Sequence, residues 1–176
     1  MPQPFILTAV LPRDLQAFAE GLRRAHYPPD RNHLHAHVTL FHAFAPSLLE
    51  ELRDYLPKLA AEFAPPEGAV KGVMDLGKGT AIALEAPQLL ALRHGIAEHF
   101  RGSLTTQDLY EPRPHVTIQN KVTKDEARAL QASLPPVLAP WIAKGRFTFP
   151  ALALHRYCGG PWEEIKASAF RGKERL

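Results

Sequence analysis

The alternation of apolar and polar positions divides the chain into short, sharply bounded elements. Phe5-Ile6-Leu7-Thr8-Ala9-Val10 is a continuous apolar run of strand length that stops before Pro12. Pro12 suits a first helical turn, and Leu15, Phe18 and Leu22 then recur at helical spacing to about Ala25, ahead of Pro28-Pro29-Asp30. A histidine-rich approach, His33-Leu34-His35-Ala36, feeds a strand that continues through Phe41 to Phe44. Ser47-Leu48-Leu49-Glu50 has the form of a capping box and opens a helix with Leu48, Leu52, Leu56, Leu59 and Phe63 on one face. Pro57 lies inside that stripe and predicts a kink or two helical pieces.

Beyond the turn at Pro65-Pro66-Glu67-Gly68, strands are predicted at about Val70 to Leu76 and Thr80 to Glu85. Gly77-Lys78-Gly79 between them has the glycines of a phosphate loop but not the GxxxxGK[ST] spacing, so it reads as a hairpin turn. Pro87 opens a helix with the stripe Leu89, Leu92, Ile96 and Phe100, and the polar, irregular stretch from Gly102 to Pro114 delivers a strand from His115 to about Val122. Thr123-Lys124-Asp125-Glu126 is a second capping box, for a helix that buries Ala127, Leu130 and Leu134 and ends at Pro135-Pro136. Trp141 to Phe149, Ala151 to Tyr157 and Trp162 to Phe170 read as strands, with Gly159-Gly160-Pro161 as the last turn and Arg171-Gly172-Lys173-Glu174-Arg175 as a solvated tail.

The succession strand, helix, strand, helix, hairpin, and then helix, strand, helix, strands is a loose internal duplication of architecture. It predicts an α+β fold: one domain over residues 1–176, of two lobes, each an antiparallel sheet with helices on its outer face, enclosing a central cleft. The bulk numbers change this picture little. A chain of 176 residues with 45% hydrophobic and 22% charged residues is an ordinary globular composition. The net charge of +3 permits an anionic substrate without implying a surface that coats nucleic acid. Cys158 is the only cysteine, which excludes an internal disulfide and fits a reducing cytoplasm. Met1-Pro2-Gln3-Pro4 carries no basic leader, and no apolar stretch is long enough for a membrane span.

The chemistry resides in a stretch that occurs twice. His37-Val38-Thr39-Leu40 returns 78 residues later as His115-Val116-Thr117-Ile118. One copy alone is a weak motif; two, each with Val second and an aliphatic residue fourth, are hard to dismiss. Side chains alternate across a strand, so His37 and Thr39 share one face while Val38 and Leu40 share the other, and the second copy repeats this. Each strand is half a site: one imidazole and one hydroxyl over two apolar residues. The histidines His33, His35, His37 and His42 also suggest a metal site. Along a strand, however, the first three stand about 7 Å apart at each step, too far for one ion without help from elsewhere. No CxxC or HExxH accompanies them. The expectation is no metal and no cofactor.

These motifs resemble those of the two-histidine (2H) phosphoesterase superfamily, in particular the bacterial 2',5'-RNA ligase, or RNA 2',3'-cyclic phosphodiesterase, family. The resemblance takes in the chain length, the N-terminal strand, both motifs, and the ending Leu154-His155-Arg156-Tyr157 with Gly159-Gly160-Pro161-Trp162. It implies a metal-independent enzyme that opens 2',3'-cyclic phosphates at RNA ends or on nucleotides to give 2'-phosphates, and that runs in reverse as a 2',5'-RNA ligase. It further implies His37 as the proton donor and His115 as the acceptor. Thr39 and Thr117, together with Leu40, Ile118, Arg113 and Tyr110, are the candidate substrate contacts. Phe41, Tyr157 and Trp162 join Tyr110 as candidates for stacking on a base.

The residue types suit that reaction. In-line displacement at phosphorus needs a base on one side and an acid on the other, and two imidazoles titrating near neutrality can be neutral and protonated together. Threonine hydroxyls can donate to the non-bridging oxygens, where charge grows. Two other readings stay open: a non-catalytic domain that binds RNA ends or nucleotides, and a hydrolase of 2',5'-oligonucleotides or another small cyclic phosphate. The expected partner is thus an RNA end or cyclic nucleotide, with no membrane and no protein partner, for a cytoplasmic monomer.

Overall fold

A computed structural model describes residues 3–176; Met1 and Pro2, part of the N-terminal stretch read as lacking a leader, lie outside the described residues. Strand β1 (Phe5–Ala9) is followed by α1 (Arg13–His26), β2 (Val38–Phe44) and α2 (Leu49–Glu62). Next come β3 (Glu67–Asp75), β4 (Thr80–Glu85), α3 (Pro87–His99), β5 (His115–Gln119) and α4 (Lys124–Ser133). The chain ends with α5 (Pro135–Lys144), β6 (Arg146–Thr148), β7 (Ala151–Tyr157) and β8 (Trp162–Ala169). Among the described residues no helix is long and apolar enough to cross a membrane.

The strands form two four-stranded antiparallel sheets, in the orders β2-β1-β7-β8 and β5-β4-β3-β6. The architectural duplication is explicit in these orders. In each sheet a fully paired strand (β1 or β4) is joined through one helix (α1 or α3) to an antiparallel motif strand at the sheet edge (β2 or β5). The motif strands are therefore not partners in one sheet. They are the free edges of two sheets, and their Cα atoms approach within 8 Å at the seam. Both sheets share one continuous apolar core, in which Leu7, Phe41, Phe44, Ile82, Val116 and Ile118 have almost no exposed surface.

The helical stripes are buried where spacing places them: Leu52 and Leu56 on α2, Leu89, Leu92 and Ile96 on α3, and Ala127 and Leu130 on α4. Helix α2 runs through Pro57 as one 14-residue helix. Its expected capping box does not form. Pro46 starts a 3₁₀ turn over Pro46–Leu48, which makes Leu48 the N-cap and leaves the Ser47 side chain without a capping bond. At α4 the second box is complete, with Thr123 and Glu126 exchanging side-chain and backbone bonds.

The largest departure lies at 135–149, read above as a helix stop followed by a strand. Proline is accepted in a first helical turn, where its missing N–H has no intrahelical acceptor. Pro135 accordingly opens α5, which carries Trp141 and Ile142, and only Arg146–Thr148 remains as strand. The solvated tail is also a correction. Arg171, Gly172 and Glu174 donate backbone N–H groups to the carbonyls of Ala60, Phe63 and Glu62, and so cap the end of α2. Gly172 is required there, because a Cβ would lie 2.0 Å from the Glu62 backbone.

Candidate active site

Period-two alternation places the site. Val38 and Leu40 on β2, and Val116 and Ile118 on β5, are at most 1% exposed, while His37, Thr39, His115 and Thr117 are half-buried on the opposite side. Leu40 and Ile118 therefore do not serve as substrate contacts; their side chains point into the core because their positions alternate with those of the threonines. In the sheet registers Thr39 lies opposite Thr8, and His115 and Thr117 lie opposite Ala83 and Ala81. Small neighbours leave the second imidazole and hydroxyl uncovered.

Both imidazoles are anchored identically. His37 Nδ1 lies 2.7 Å from the His35 carbonyl, and His115 Nδ1 lies 2.7 Å from the Arg113 carbonyl. A carbonyl only accepts, so Nδ1 carries the proton in each ring and Nε2 is left free for chemistry. Burial is the main cause that pushes His37 down to about 4; the His35 carbonyl opposes it, and the charges of Arg23, His155 and His115 add to it. The Arg23 charge that acts on His37 belongs to a side chain bonded to the Thr117 carbonyl at 2.7 Å, and β2 and β5 meet at the seam.

An edge strand exposes carbonyls and N–H groups that need partners. Two buried arginines supply donors here, each crossing from the other half of the molecule. Arg23 on α1 donates to the Thr117 carbonyl at 2.7 Å and to Asn32, and Arg93 on α3 donates to the Leu40 carbonyl at 3.2 Å and the Asp108 carbonyl at 2.5 Å. Asp108, in the stretch read as irregular, accepts from the backbone N–H groups of His42 and Ala43. Burial alone would raise the Asp108 carboxyl, but the bonds from the His42 side chain and from these two amides outweigh it and hold it low. Arg23, Arg93 and Asp108 were not among the expected site residues. The available signal was a charged residue inside an apolar stripe: Arg23 falls two turns after Leu15, and Arg93 sits between Leu92 and Ile96.

Next to His37 opens a cleft of about 330 Å³, lined by Trp162, His155, Glu164, Gln16, His33 and His35 among others. The Trp162 ring centroid is 4.6 Å from that of His37, and His155 Nε2 is 3.0 Å from the Thr8 hydroxyl. His33 and His35 belong to irregular chain, not to a strand, and His42 is held by Asp108, so the histidine cluster is dispersed. Among the described residues no three His, Cys, Asp or Glu side chains are gathered to hold a metal ion.

The remaining candidates separate. Arg113 holds His115 through its carbonyl while its exposed side chain lines a broader groove on the second lobe. Tyr110 is 73% exposed and lines neither this groove nor the cleft. Phe41 is core, packed under the Arg93 guanidinium at 4.3 Å, and does not stack on a ligand. Tyr157 lies at the partly exposed end of β7. Of the aromatic candidates, Trp162 is in the cleft.

The fold is shared with solved structures. TT0787 of Thermus thermophilus superposes with a TM-score of 0.66 at 17% identity, over 97% of this chain and 100% of that one. E. coli LigT complexed with 3'-AMP gives 0.60 at 14%, over 99% and 100%, and Kluyveromyces marxianus Usb1 gives 0.58 at 15%, over 96% and 98%. No curated protein sequence matches significantly. The family model for the 2'-5' RNA ligase superfamily matches residues 11–161, both motifs included. The chain is a member of that superfamily, and with it of the two-histidine phosphoesterases.

Proposed function

We propose that the protein is a metal-independent phosphodiesterase that opens 2',3'-cyclic phosphates on nucleotides or RNA ends. The observation that supports this most directly is the pair of His-x-Thr edge strands with both Nδ1 atoms tied to carbonyls, since binding alone does not need two oriented, titratable rings. The nucleotide complexes solved for E. coli LigT, with 3'-AMP, ATP and NADP+, agree with a fold that handles nucleotides.

In this reading water attacks phosphorus and loses its proton to one Nε2. The P–O3' bond breaks, and the second ring, protonated, delivers a proton to O3', leaving a 2'-phosphate. Thr39 and Thr117 donate to the non-bridging oxygens. A 5'-hydroxyl in place of water runs the same steps toward a 2',5' linkage. The resemblance gives His37 the donor role, and burial sets a condition on it. The ring accepts its proton once the negative charge of the phosphodiester offsets desolvation, so the pKa it contributes lies higher in the kcat profile than in kcat/KM.

The expected outcome is hydrolysis of 2',3'-cyclic mononucleotides in EDTA, with His37→Ala and His115→Ala each losing about 10²–10⁴-fold in kcat while the circular dichroism spectrum is retained. Full activity in both variants would end the mechanism. Activity lost to chelator and restored by zinc would replace it with a metal-assisted one.

A further inference from the structure

The cleft beside His37 has a chemistry that the phosphodiester reaction does not use. No lysine or arginine lines it, so it is not a second phosphate site. Strand β8 turns Trp162 and Glu164 to the same side, and the register sets Glu164 opposite His155 and Trp162 opposite Tyr157. Glu163, which points the other way, is paired with Arg156 at 2.8 Å. Glu164 lines the cleft and enters no ion pair or side-chain hydrogen bond among the described residues. Its lining includes the small side chains of Ala9 and Ala153, and its volume is at the lower end for a small-molecule pocket. An aromatic wall, an unengaged carboxylate and no cation describe a place for a neutral ring that donates hydrogen bonds, immediately next to an imidazole that works on phosphorus.

Resting on the phosphoesterase reading, we propose that this cleft holds the nucleobase of the cyclic nucleotide, and that Glu164 selects guanine. Guanine offers a carboxylate two parallel donors, N1–H and the N2 amino group. Adenine and cytosine offer one amino group each. Uracil offers N3–H between two carbonyl oxygens, both of which repel a carboxylate. Trp162 contributes stacking that any base accepts, so the discrimination belongs to Glu164.

The test is kcat/KM for the four 2',3'-cyclic nucleotides at pH 8, together with calorimetric binding of 2'-GMP and 2'-UMP. The guanosine substrate should exceed the uridine one by about 5–150-fold, the equivalent of the 1–3 kcal/mol of a bidentate base contact. Glu164→Gln should collapse or invert that ratio, because an amide offers one acceptor and one donor that match uracil N3–H and a carbonyl. Equal rates for all four bases, or a ratio untouched by Glu164→Gln, would overturn the base subsite and leave the phosphoesterase standing. Absence of turnover with 2'-GMP still bound more tightly than 2'-UMP, and that difference abolished in Glu164→Gln, would keep the subsite and remove the phosphoesterase. Equal binding of the two products overturns the subsite in either case.

Discussion

The two halves of the site share a scaffold and differ in surroundings. His37 and His115 precede or begin an edge strand, bond through Nδ1 to the carbonyl two residues back, and alternate with buried aliphatic residues. Each edge is held by a buried arginine from the opposite half. Around His37, however, stand Trp162 and His155, contributed by β8 and β7; the corresponding positions of the second sheet belong to β6 and β3, which bring no aromatic residue to His115. Repetition thus gives each edge strand the same imidazole and hydroxyl, held in the same way. The unshared strands supply the asymmetry that lets one ring differ from the other.

The shared part can be broken first, and this should have the largest effect. Arg23→Met leaves the Thr117 carbonyl and Asn32 without their donor, and Arg93→Met does the same to the Leu40 and Asp108 carbonyls. A buried polar group stripped of its partner costs about 1–3 kcal/mol, so each variant should lose that much in urea unfolding. Equivalent losses support equivalent roles. A neutral result for one arginine would show that its edge strand is satisfied by other means, and that the two halves are braced differently.

How far these features could be read in advance follows from how local their causes are. The His-Thr faces and the α3 stripe depend on period two or 3.6 within a single element, and both were legible. The arginine braces were not, because their acceptors lie 94 and 53 residues away in sequence. The prolines at 135 and 136 signal the end of one helix but give no local sign that they also open the next, since the same missing N–H is harmless in a first turn. The docked tail depends on Gly172 meeting the α2 backbone, a contact without any local signature.

The unshared part can be sharpened by titration. His37 is held at about 4 against an ordinary value of 6.5. Its folded pKa is depressed, so the unfolded chain binds a proton that the folded one refuses. The stability contributed by the neutral ring is complete above pH 6.5 and is lost as pH falls from 6.5 toward 4. Nuclear magnetic resonance should find the His37 ring titrating near 4. Trp162→Ala uncovers the ring, and should move that midpoint up toward 6.5 and shallow the loss of stability over the same window. A wild-type His37 midpoint already near 6.5 would mean that the unshared strands do not desolvate this ring.

The smallest effect comes where the two halves leave their motif strands. Both exits carry the letters of a capping box, Ser47 to Glu50 after β2 and Thr123 to Glu126 after β5. In the second, the Thr123 hydroxyl accepts from the Glu126 amide at 3.1 Å, and Thr123→Ala should cost about 1 kcal/mol. In the first, the turn begun by Pro46 shifts the helix start past Ser47, whose side chain caps nothing, while Glu50 sits near Arg53. Ser47→Ala should therefore fall within about 0.5 kcal/mol of wild type, as exposed substitutions do. Paired denaturation curves decide it: a Ser47→Ala cost as large as that of Thr123→Ala would mean that α2 begins one residue earlier in solution, with the first half repeating the second more closely than its proline permits.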